Sequence, residues 1–363
     1  MRPETEAELA EIVAGAAGPL AIQGGGTRRI GGAEGAVLET SGLSGVVLYE
    51  PAALTLVVRA GTPLAEVEAL LAGERQRLAF EPLDMRQVLG RTGVSTIGGV
   101  VAANASGPRR VQSGAARDAL IGVRFVSGRG EVVKSGGRVM KNVTGYDLVK
   151  LMAGSHGTLG VLSELSFKLQ AQPEVEATLI LEGLDDGPGL AALRRALGSP
   201  FDVSGVARVS GRSVVRLEGL AGSVAYRVGQ LRAVLPGDVS VVEGEASAEI
   251  WRNVRDLAPL QGPEGDLWRI SCLPTHAAEL AAAMGGTVLF DRAGGQVSMV
   301  LPEGQGEALQ KALAGRGQAI LLRGAGALPF ARSSAEVLAL SAGLKSAFDP
   351  KALFNPAQSR GLF

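Results

Sequence analysis

The feature that most constrains this chain is a glycine-dense stretch from residue 92 to residue 169, in which tight turns alternate with apolar runs. It contains TIGGVVAANASGPRR at 96–110, GAARDALIGVRFVSGRGEVV at 114–133 and GYDLVKLMAGSHGTLGVLSELSFKL at 145–169. Glycine lets a turn reach positive φ and lets backbones approach closely. The tightest turns hold almost no lysine, histidine or cysteine. If these turns line a binding site, main-chain amides would form most of its wall. A wall of this kind suits a large, flat, anionic ligand.

Composition narrows the class of protein. The 363 residues allow two domains and a sizeable core, and 36 basic against 36 acidic residues give no field that would attract nucleic acid. The single cysteine, Cys272, excludes an internal disulfide, a cysteine-ligated iron–sulfur cluster and a multi-cysteine zinc site. No apolar run approaches the roughly 20 residues of a spanning helix. We therefore expect a cytoplasmic protein without a membrane span, a nucleic-acid partner or a metal site.

Apolar periodicity predicts two small α/β units in the first part of the chain, about 1–75 and 76–172. The first has a helix over 4–14, a strand over 20–23 that ends in a glycine turn, and further short strands. The second has a helix from residue 97, a hairpin over 120–134 and a closing strand over 161–169. The segment 170–173 is the expected boundary.

The pattern after this boundary occurs twice. Each half, 175–243 and 267–323, predicts the order βαββαβ, with a linking helix over 246–258 between them. Two such halves would form an antiparallel sheet with helices on one face, which leaves the other face to cover a ligand. We thus predict an α+β fold with a cap over 173–330. A helix and tail over 331–363 would return to the first domain.

Two glycine-rich turns are candidates for phosphate binding. In GGGT at 24–27, positive φ would aim amides at a diphosphate and Thr27 would add a hydroxyl, although an ordinary strand-ending turn also fits. It is not a dinucleotide fingerprint of the Rossmann type, since Arg29 replaces the third glycine. The turn at 96–99 begins a helix, whose N-terminus attracts anions. Close helix packing is the alternative there.

A third loop and a few charged side chains complete the candidates. GSHGTLGVL at 154–162 suits a loop pressed against a planar ring; its His156 invites a catalytic role, but a surface or packing role is the commoner one. Arg269 and Arg323 lie in apolar strands of the second part, where a buried charge needs a counter-ion. They are the candidates for binding a substrate carboxylate.

Taken together, these segments resemble the FAD-linked oxidase family, also called the PCMH-type or vanillyl-alcohol-oxidase flavoprotein fold. The resemblance spans the chain and includes PLD at 82–84 and FDPKALFNP at 348–356. Three segments are most similar to FAD-binding subunits of bacterial glycolate oxidase: SGPRR, GGRVMKNVTGYD at 136–147 and LWRIS at 267–271. It implies a two-part FAD-binding domain with the flavin ring under the cap.

By position, the resemblance assigns sixteen residues to the FAD site. The diphosphate loop is matched by Gly24, Gly25, Gly26 and Thr27, and the segment near the flavin by Leu83 and Asp84. The second turn is matched by Thr96, Gly98 and Gly99, and the loop that follows it by Asn104, Ser106 and Gly107. The loop around the ring is matched by Gly157, Leu159, Gly160 and Val161.

Two departures from the family shape the expected function. Covalent members carry histidine or cysteine in these loops, whereas residues 27–28 and 107–108 are Thr-Arg and Gly-Pro, so we expect non-covalent FAD. Hydroxyacid-oxidising relatives carry H-x-G-D-G-N-x-H in the cap, which is missing from this sequence.

The resemblance therefore implies an FAD subunit of a glycolate oxidase-like complex. A sister flavin subunit and an iron–sulfur subunit would assist in oxidising a small 2-hydroxy acid, and partners could hold the chain at the inner membrane. The alternatives are a self-sufficient FAD dehydrogenase and a flavin-free scaffold.

Overall fold

A computed structural model describes residues 1–137, 146–324 and 334–362. Most of the motif at 136–147 lies outside these residues. The described chain forms a two-stranded parallel sheet, a five-stranded antiparallel sheet, a short two-stranded pair and an eight-stranded antiparallel sheet, with helices between them. This mixed composition confirms the α+β prediction.

The small parallel sheet carries the first glycine turn. It pairs β1 (Leu20–Gln23) with β2 (Ala36–Glu39), and helix α1 (Glu6–Ala14), capped by the Thr5 hydroxyl, packs beside it. The C-terminal tail joins this sheet, since the Leu20 amide donates to Leu353 O and the Asn355 amide donates to Leu20 O. The end of the chain is thereby held against its beginning.

The five-stranded sheet has the order β3-β4-β8-β6-β7. Its strands are β3 (Val46–Glu50), β4 (Thr55–Arg59), β6 (Leu120–Val126), β7 (Val132–Gly136) and β8 (Val161–Lys168). Because β4 pairs with β8 along its whole length, this sheet combines strands from both sides of residue 75. The subdivision expected near that residue does not coincide with a sheet boundary. The short pair is β5 (Gln76–Arg77) with β9 (Gln170–Ala171).

Short helices connect these strands. They are α2 (Leu64–Gly73), α3 (Arg86–Leu89), α4 (Ile97–Ala102), α5 (Arg110–Ser113), α6 (Ala116–Ala119) and α7 (Leu148–Met152). Helix α4 begins where predicted, and the Thr96 hydroxyl caps it by accepting from the Gly99 amide. The tail contains α13 (Ala335–Phe348) and α14 (Pro356–Leu362).

The eight-stranded sheet and its helices, which we call the cap, confirm the predicted duplication. The sheet order is β13-β10-β12-β11-β15-β16-β14-β17. The first half holds β10 (Val175–Leu181), α8 (Asp186–Leu197), β11 (Gly205–Val209), β12 (Arg212–Gly219), α9 (Ala221–Val234) and β13 (Val239–Glu243). The second holds β14 (Asp266–Cys272), α11 (Ala277–Met284), β15 (Thr287–Asp291), β16 (Gln296–Leu301), α12 (Gly306–Leu313) and β17 (Gly317–Arg323). The linking helix is α10 (Gly244–Arg255). Each half thus has the strand order 4-1-3-2, and β11 pairs with β15 where the halves meet.

The two faces of the cap sheet bury different cores. Leu190, Leu231, Leu280 and Leu309 pack from α8, α9, α11 and α12 onto the outer face. The inner face contributes other apolar side chains to the core of the first 172 residues: Ile180, Ala207, Val214, Leu267, Leu289, Val300 and Leu322. The cap therefore packs directly on the glycine-rich region, and its inner face overlooks that region.

Ion pairs fix the first half of the cap in place. The Arg216 guanidinium on β12 donates to both carboxylate oxygens of Glu81, at 2.7 and 2.9 Å, and stacks on Trp251 at 4.5 Å. Glu218, two residues along β12, pairs with Arg109 and with Arg77. Burial favours the neutral acid, but the charges of Arg216, Arg109 and Arg77 lower the pKa of Glu218 to about 2. Because breaking one buried partner leaves an uncompensated charge, this contact holds the cap in one orientation.

Within the described ranges, no helix is long and apolar enough to cross a membrane.

Candidate functional site

The three glycine-rich turns converge on one cleft. It is bordered by the turn after β1, the start of α4 and the loop before β8, and it contains about 760 Å³ of space including its open mouth. Nine of the sixteen predicted FAD residues line it: Gly24, Gly25, Gly26, Thr27, Thr96, Gly98, Gly99, Gly157 and Gly160. Turns that lie far apart in the sequence therefore form a single wall.

Glycine is required where the first two turns cross. A Cβ atom on Gly25 would lie 1.6 Å from Val94 O, and one on Gly24 would lie 2.1 Å from the Thr96 hydroxyl oxygen. Neither neighbour can yield, because one is backbone and the other caps α4. The close crossing brings the turn at 24–27 against the helix N-terminus.

The first turn presents donors to the cleft. Within the residues that the structure describes, the amides of residues 25–27 donate no hydrogen bond to the protein. Consecutive amides without protein acceptors form an anion-binding concavity. An FAD diphosphate fits this chemistry, since it would supply the acceptors that the turn lacks.

A buried cation lies beside this turn. The Arg28 guanidinium donates to Leu83 O, to the Ser95 hydroxyl at 2.5 Å and to the Thr27 hydroxyl at 3.2 Å. Burial lowers the pKa of Arg28 to about 10, so it stays protonated at neutral pH. It adds positive charge to the wall of the cleft and ties the Leu83 segment to it.

The other seven predicted FAD residues do not line the cleft. Leu83 and Leu159 are core side chains, and Val161 pairs with Val126 in the sheet. Asp84 forms a bidentate pair with Arg86, and Gly107 packs on the backbone of Glu81. Asn104 and Ser106 accept the amides of Arg117 and Ala116. These residues support the loops, and their direct contact with FAD remains a prediction.

The third turn places a histidine in the cleft wall. His156 has φ +52°, its amide donates to Ala102 O at 2.8 Å, and its carbonyl accepts from the Asn355 side chain at 2.8 Å. His156 lines the cleft and is half-buried. Burial, together with the charge of Arg269, lowers the pKa of His156 to about 4, so the imidazole is neutral at physiological pH.

The C-terminal tail closes one side of the cleft. Asn355 accepts the Ile22 amide at 2.7 Å, and Gln358 donates to Ile30 O and Gly32 O at 2.7 and 2.9 Å. Both side chains line the cleft. The tail therefore connects the first and third turns, 333 residues apart along the chain at Ile22 and Asn355.

A row of polar side chains crosses the inner face of the second half of the cap. Arg269 on β14 lies opposite Ser298 on β16, and Gln296 on β16 lies opposite Asp291 on β15. Residues that lie opposite each other on neighbouring strands are on the same face of the sheet. The four polar residues are on the face that also carries Leu267, Leu289 and Val300, which pack on the glycine-rich region. The Ser298 hydroxyl is fully buried and has no protein partner among the described residues. The row thus points polar groups toward the glycine-rich region.

Arginine charges dominate this row. Burial, with the charges of Arg292 and Arg110, lowers the pKa of Arg269 to about 10, so its guanidinium remains charged. Within the described ranges, the side chains of Arg269 and Arg110 have no hydrogen bond or ion pair. Asp291 is held by Arg292, whose amide donates to it at 2.7 Å; burial raises the pKa of Asp291. An enclosed cation without a counter-ion favours an anion from outside the chain.

Arg323, the other predicted carboxylate ligand, is used elsewhere. Its guanidinium donates to Val88 O and to Pro263 O, both at 2.8 Å, at the sheet edge formed by β17. These contacts favour a structural role that joins the cap edge to helix α3. Of the two candidates, Arg269 is the one whose side chain has no hydrogen bond or ion pair within the described residues.

Sequence reasoning does not assign Arg28, Asn355, Gln358 or the row around Arg269 to the site. Arg28 directly follows the first turn, which is the available signal for it. The sequence draws attention to His156 but favours a surface or packing role. For Ser298 and Asp291 no local signal exists, because only strand pairing brings them beside Arg269. The described part of the chain contains no cluster of histidine, cysteine and acidic residues that could hold a metal ion.

Known proteins match both the sequence and the fold. The family described as an FAD binding domain matches residues 1–136. Glycolate oxidase subunit GlcE of Escherichia coli (strain K12) is 33% identical over 343 residues, which are 94% of this chain and 92% of the relative. Glycolate oxidase subunit GlcD of Bacillus subtilis (strain 168) is 33% identical over 45% of this chain and 34% of its own length. A solved structure of alkyldihydroxyacetonephosphate synthase matches 98% of this chain and 76% of its own, with a TM-score of 0.69 at 14% identity.

Proposed function

Because this chain belongs to the FAD-linked oxidase family, and is thus an FAD-dependent oxidoreductase acting on CH–OH groups, we propose that it oxidises a small 2-hydroxy acid. Glycolate, converted to glyoxylate, is the substrate we favour. The FAD is expected to be non-covalent, because the turns that would carry a linkage have Thr27, Arg28, Gly107 and Pro108.

The observation that carries the substrate proposal is a comparison between the two halves of the cap. Thr178 and Arg269 are the central residues of β10 and β14, and they pair with Arg216 and Ser298. Each half therefore has one arginine in this pair of positions on the inner face. Arg216 is neutralised by carboxylates, whereas Arg269 has no carboxylate partner in the part of the chain that the structure describes.

The carboxylates of Arg216 come from both sides of the contact. Glu81 binds it from the glycine-rich region, while Glu218 and Glu176 lie 3.6 and 3.8 Å away on the cap. Burial alone would lower the pKa of Arg216, but these three charges outweigh burial and raise it. Among the described residues, the charges that act on Arg269 are those of Arg292 and Arg110, and the titratable His156 lies nearby. A substrate carboxylate would pair with Arg269 and neutralise its charge, as Glu81 does for Arg216.

The chain's residues have separate roles in this proposal. The amides of residues 25–27, with Arg28 nearby, would hold the FAD diphosphate, and the flavin when bound supplies the hydride acceptor. Arg269 and Arg110 would orient the carboxylate from the cap side, and Ser298 would donate to the substrate. The packed inner face of the cap would exclude water from the reacting groups.

A complex is part of the proposal. The relatives described above are named as subunits of glycolate oxidase, and a single cysteine cannot hold an iron–sulfur cluster within this chain. Electrons would leave through a sister flavin subunit and an iron–sulfur subunit, and we place the complex in the cytoplasm or at the inner membrane. The rival function is a self-sufficient 2-hydroxy acid dehydrogenase. It is favoured by the row of polar side chains around Arg269, which would bind a substrate carboxylate within this chain. A flavin-free scaffold is the third alternative.

One experiment separates these functions. The chain is purified alone and its visible absorption measured before and after anaerobic addition of glycolate or D-lactate. Oxidised flavin bands that bleach with glycolate support the proposal, and turnover with a dye but no partner supports the rival. A protein without flavin bands that also fails to take up added FAD supports the scaffold. Bound flavin that neither acid reduces, even after reconstitution with its co-purified partners, contradicts 2-hydroxy acid oxidation.

A further inference from the structure

On the basis of the 2-hydroxy acid oxidation proposed above, we propose that His156 accepts the hydroxyl proton of the substrate while Arg269 holds its carboxylate. Removing a hydride from carbon leaves a hydroxyl proton that needs an acceptor. The histidine-rich cap segment of hydroxyacid-oxidising relatives is missing from this sequence. A histidine from a different loop would replace it.

The position of His156 supports this role. His156 lines the cleft that Gly24, Gly98 and Gly157 also line, so it shares the wall of the expected FAD site. The other histidine, His276, lies at the start of α11, where it contacts Glu279 and Ala312 O. Only one of the chain's two histidines can therefore reach the cofactor.

The backbone at His156 is held in a costly conformation. Its φ of +52° lies in the left-handed region, which costs a non-glycine residue about 1 kcal/mol or more. Hydrogen bonds from the amide to Ala102 O and from Asn355 to the carbonyl maintain it. Since the direction of the Cα–Cβ bond follows from the backbone conformation, these two contacts fix where the side chain leaves the main chain. Strain that neighbouring groups maintain in this way is common at functional positions.

Charges around His156 make its basicity dependent on the substrate. Burial is the larger cause of the lowered pKa of His156, and Arg269, from the cap, is the charged neighbour that lowers it further. On the tail side, Lys345 donates to Thr158 O but is neutralised by Asp349 at 2.6 Å. The groups that hold the histidine backbone, Ala102 and Asn355, are uncharged. A carboxylate bound to Arg269 would cancel the one unfavourable charge and raise the pKa of His156.

The reaction balances with this assignment. The C2–H bond would break and its electron pair would leave as a hydride, which FAD when bound would accept, while the O–H bond would break and its proton would move to the imidazole. The carbon–oxygen bond becomes a carbonyl, so glycolate yields glyoxylate and the histidine becomes an imidazolium. Product release would restore the influence of Arg269, which favours loss of the proton to solvent.

Asp291 is the other ionisable acceptor near the arginines, but its surroundings favour a structural role. Its carboxylate already accepts the Arg292 amide at 2.7 Å, and Arg292 Nε lies 3.8 Å from it. The further charges that act on it are Glu81 and Arg216, which belong to the contact that fixes the cap.

The test uses the FAD-loaded protein labelled with ¹⁵N-histidine, since two histidines give two sets of signals. His276→Asn assigns them. The imidazole is titrated from about pH 3 to about pH 8, with and without oxalate, a dicarboxylate that cannot be oxidised at C2. We expect oxalate to raise the pKa of His156 by about one unit or more, because an opposite charge nearby shifts a pKa by about 1–3 units. Arg269→Met should abolish this shift.

His156→Asn is the matched kinetic variant, because asparagine tolerates the left-handed conformation. We expect it to retain FAD and to bind oxalate, while glycolate reduces its flavin about 10²–10⁴-fold more slowly. His276→Asn should reduce at the unaltered rate. If oxalate binds but the pKa of His156 is unmoved, or if His156→Asn reduces normally, the proton-acceptor role is wrong and the proposed function stands. If neither oxalate nor glycolate binds to the loaded protein, the proposed function fails with it.

Discussion

Arg216 and Arg269 occupy the same pair of opposed positions at the centres of the two halves of the cap sheet, yet within residues 1–137, 146–324 and 334–362 only Arg216 has carboxylate partners. Duplication has thus given one half a contact that fixes the cap and the other half an enclosed, unneutralised cation. Both arginines face the glycine-rich region. Arg216 fixes the cap to that region, and Arg269 is a candidate anion-binding site. The relationship leads to predictions for each half.

Arg269→Met should weaken carboxylate binding and leave FAD binding unchanged. Methionine keeps much of the apolar volume but removes the charge, and losing a charge-assisted contact costs about 1.5–3 kcal/mol. We expect the KM for glycolate and the dissociation constant of oxalate to rise by at least tenfold. The control is Arg212→Met, which removes an exposed arginine from the end of β12. Equal affinity for oxalate in Arg269→Met and the unaltered protein would contradict the substrate assignment.

Glu218→Gln should destabilise the folded protein by about 3–5 kcal/mol, because it leaves Arg109 and Arg77 without their carboxylate in a buried contact. Chemical denaturation monitored by circular dichroism measures this. Glu245→Gln, which alters an exposed pair with Arg252, should change the free energy of unfolding by less than about 1 kcal/mol.

The same contact predicts the pH dependence of stability. The pKa of Glu218 is about 2 in the folded protein, and about 4.3 is usual for glutamate in an unfolded chain. The folded state therefore binds this proton more weakly. The contribution of Glu218 is fully present above about pH 4.3 and is lost as the pH falls through 2. The stability difference between the unaltered protein and Glu218→Gln should shrink over this window, and a difference that stays constant would show that the carboxylate charge is not its cause.

Gly25→Ala should prevent FAD binding. Its Cβ would lie 1.6 Å from Val94 O, so the turn must move away from the helix N-terminus. Gly32→Ala is the matched control, because a Cβ there has no neighbour within 4 Å. The flavin-to-protein ratio after purification, and fluorescence titration with added FAD, measure the difference. Full flavin content in Gly25→Ala would show that this turn is not part of the cofactor site.

Asn355 tests the closing of the cleft by the tail. Asn355→Gly removes the hydrogen bonds to Ile22 and His156 but keeps the φ of +43° easily accessible. Asn355→Ala loses the same bonds and adds about 1–2 kcal/mol for the left-handed conformation. Both should weaken FAD binding, and the alanine variant should also have the lower Tm. If flavin affinity is unchanged in both, the tail does not support the cofactor site.

Non-covalent attachment is the simplest prediction to check. Acid or heat denaturation should release all the flavin into the supernatant, and the mass of the precipitated chain should equal that of the unmodified polypeptide. Flavin that stays with the precipitate would contradict the prediction.

Much of the fold could be predicted because the signals are local. The periodicity of strands such as Val175–Leu181 and Gln296–Leu301 is contained in a few residues, and the repeated βαββαβ order follows from their succession. The turns at Gly24, Gly98 and Gly157 could likewise be identified from composition. Residues such as Leu159 and Val161 lie in the same loops by position, but they point into the core and the sheet, which spacing alone does not reveal.

The sequence by itself determined the glycine turns, the duplicated cap and the lack of cysteines for a cluster, since each depends on neighbouring residues. Only the tertiary structure decided which arginine is neutralised. Arg216 meets Glu81 from 135 residues away, while Arg269 meets Ser298 and the charges of Arg110 and Arg292. The physical reason is that the state of a buried charge depends on the atoms around it in space. The sequence contains those atoms, but only packing brings them together.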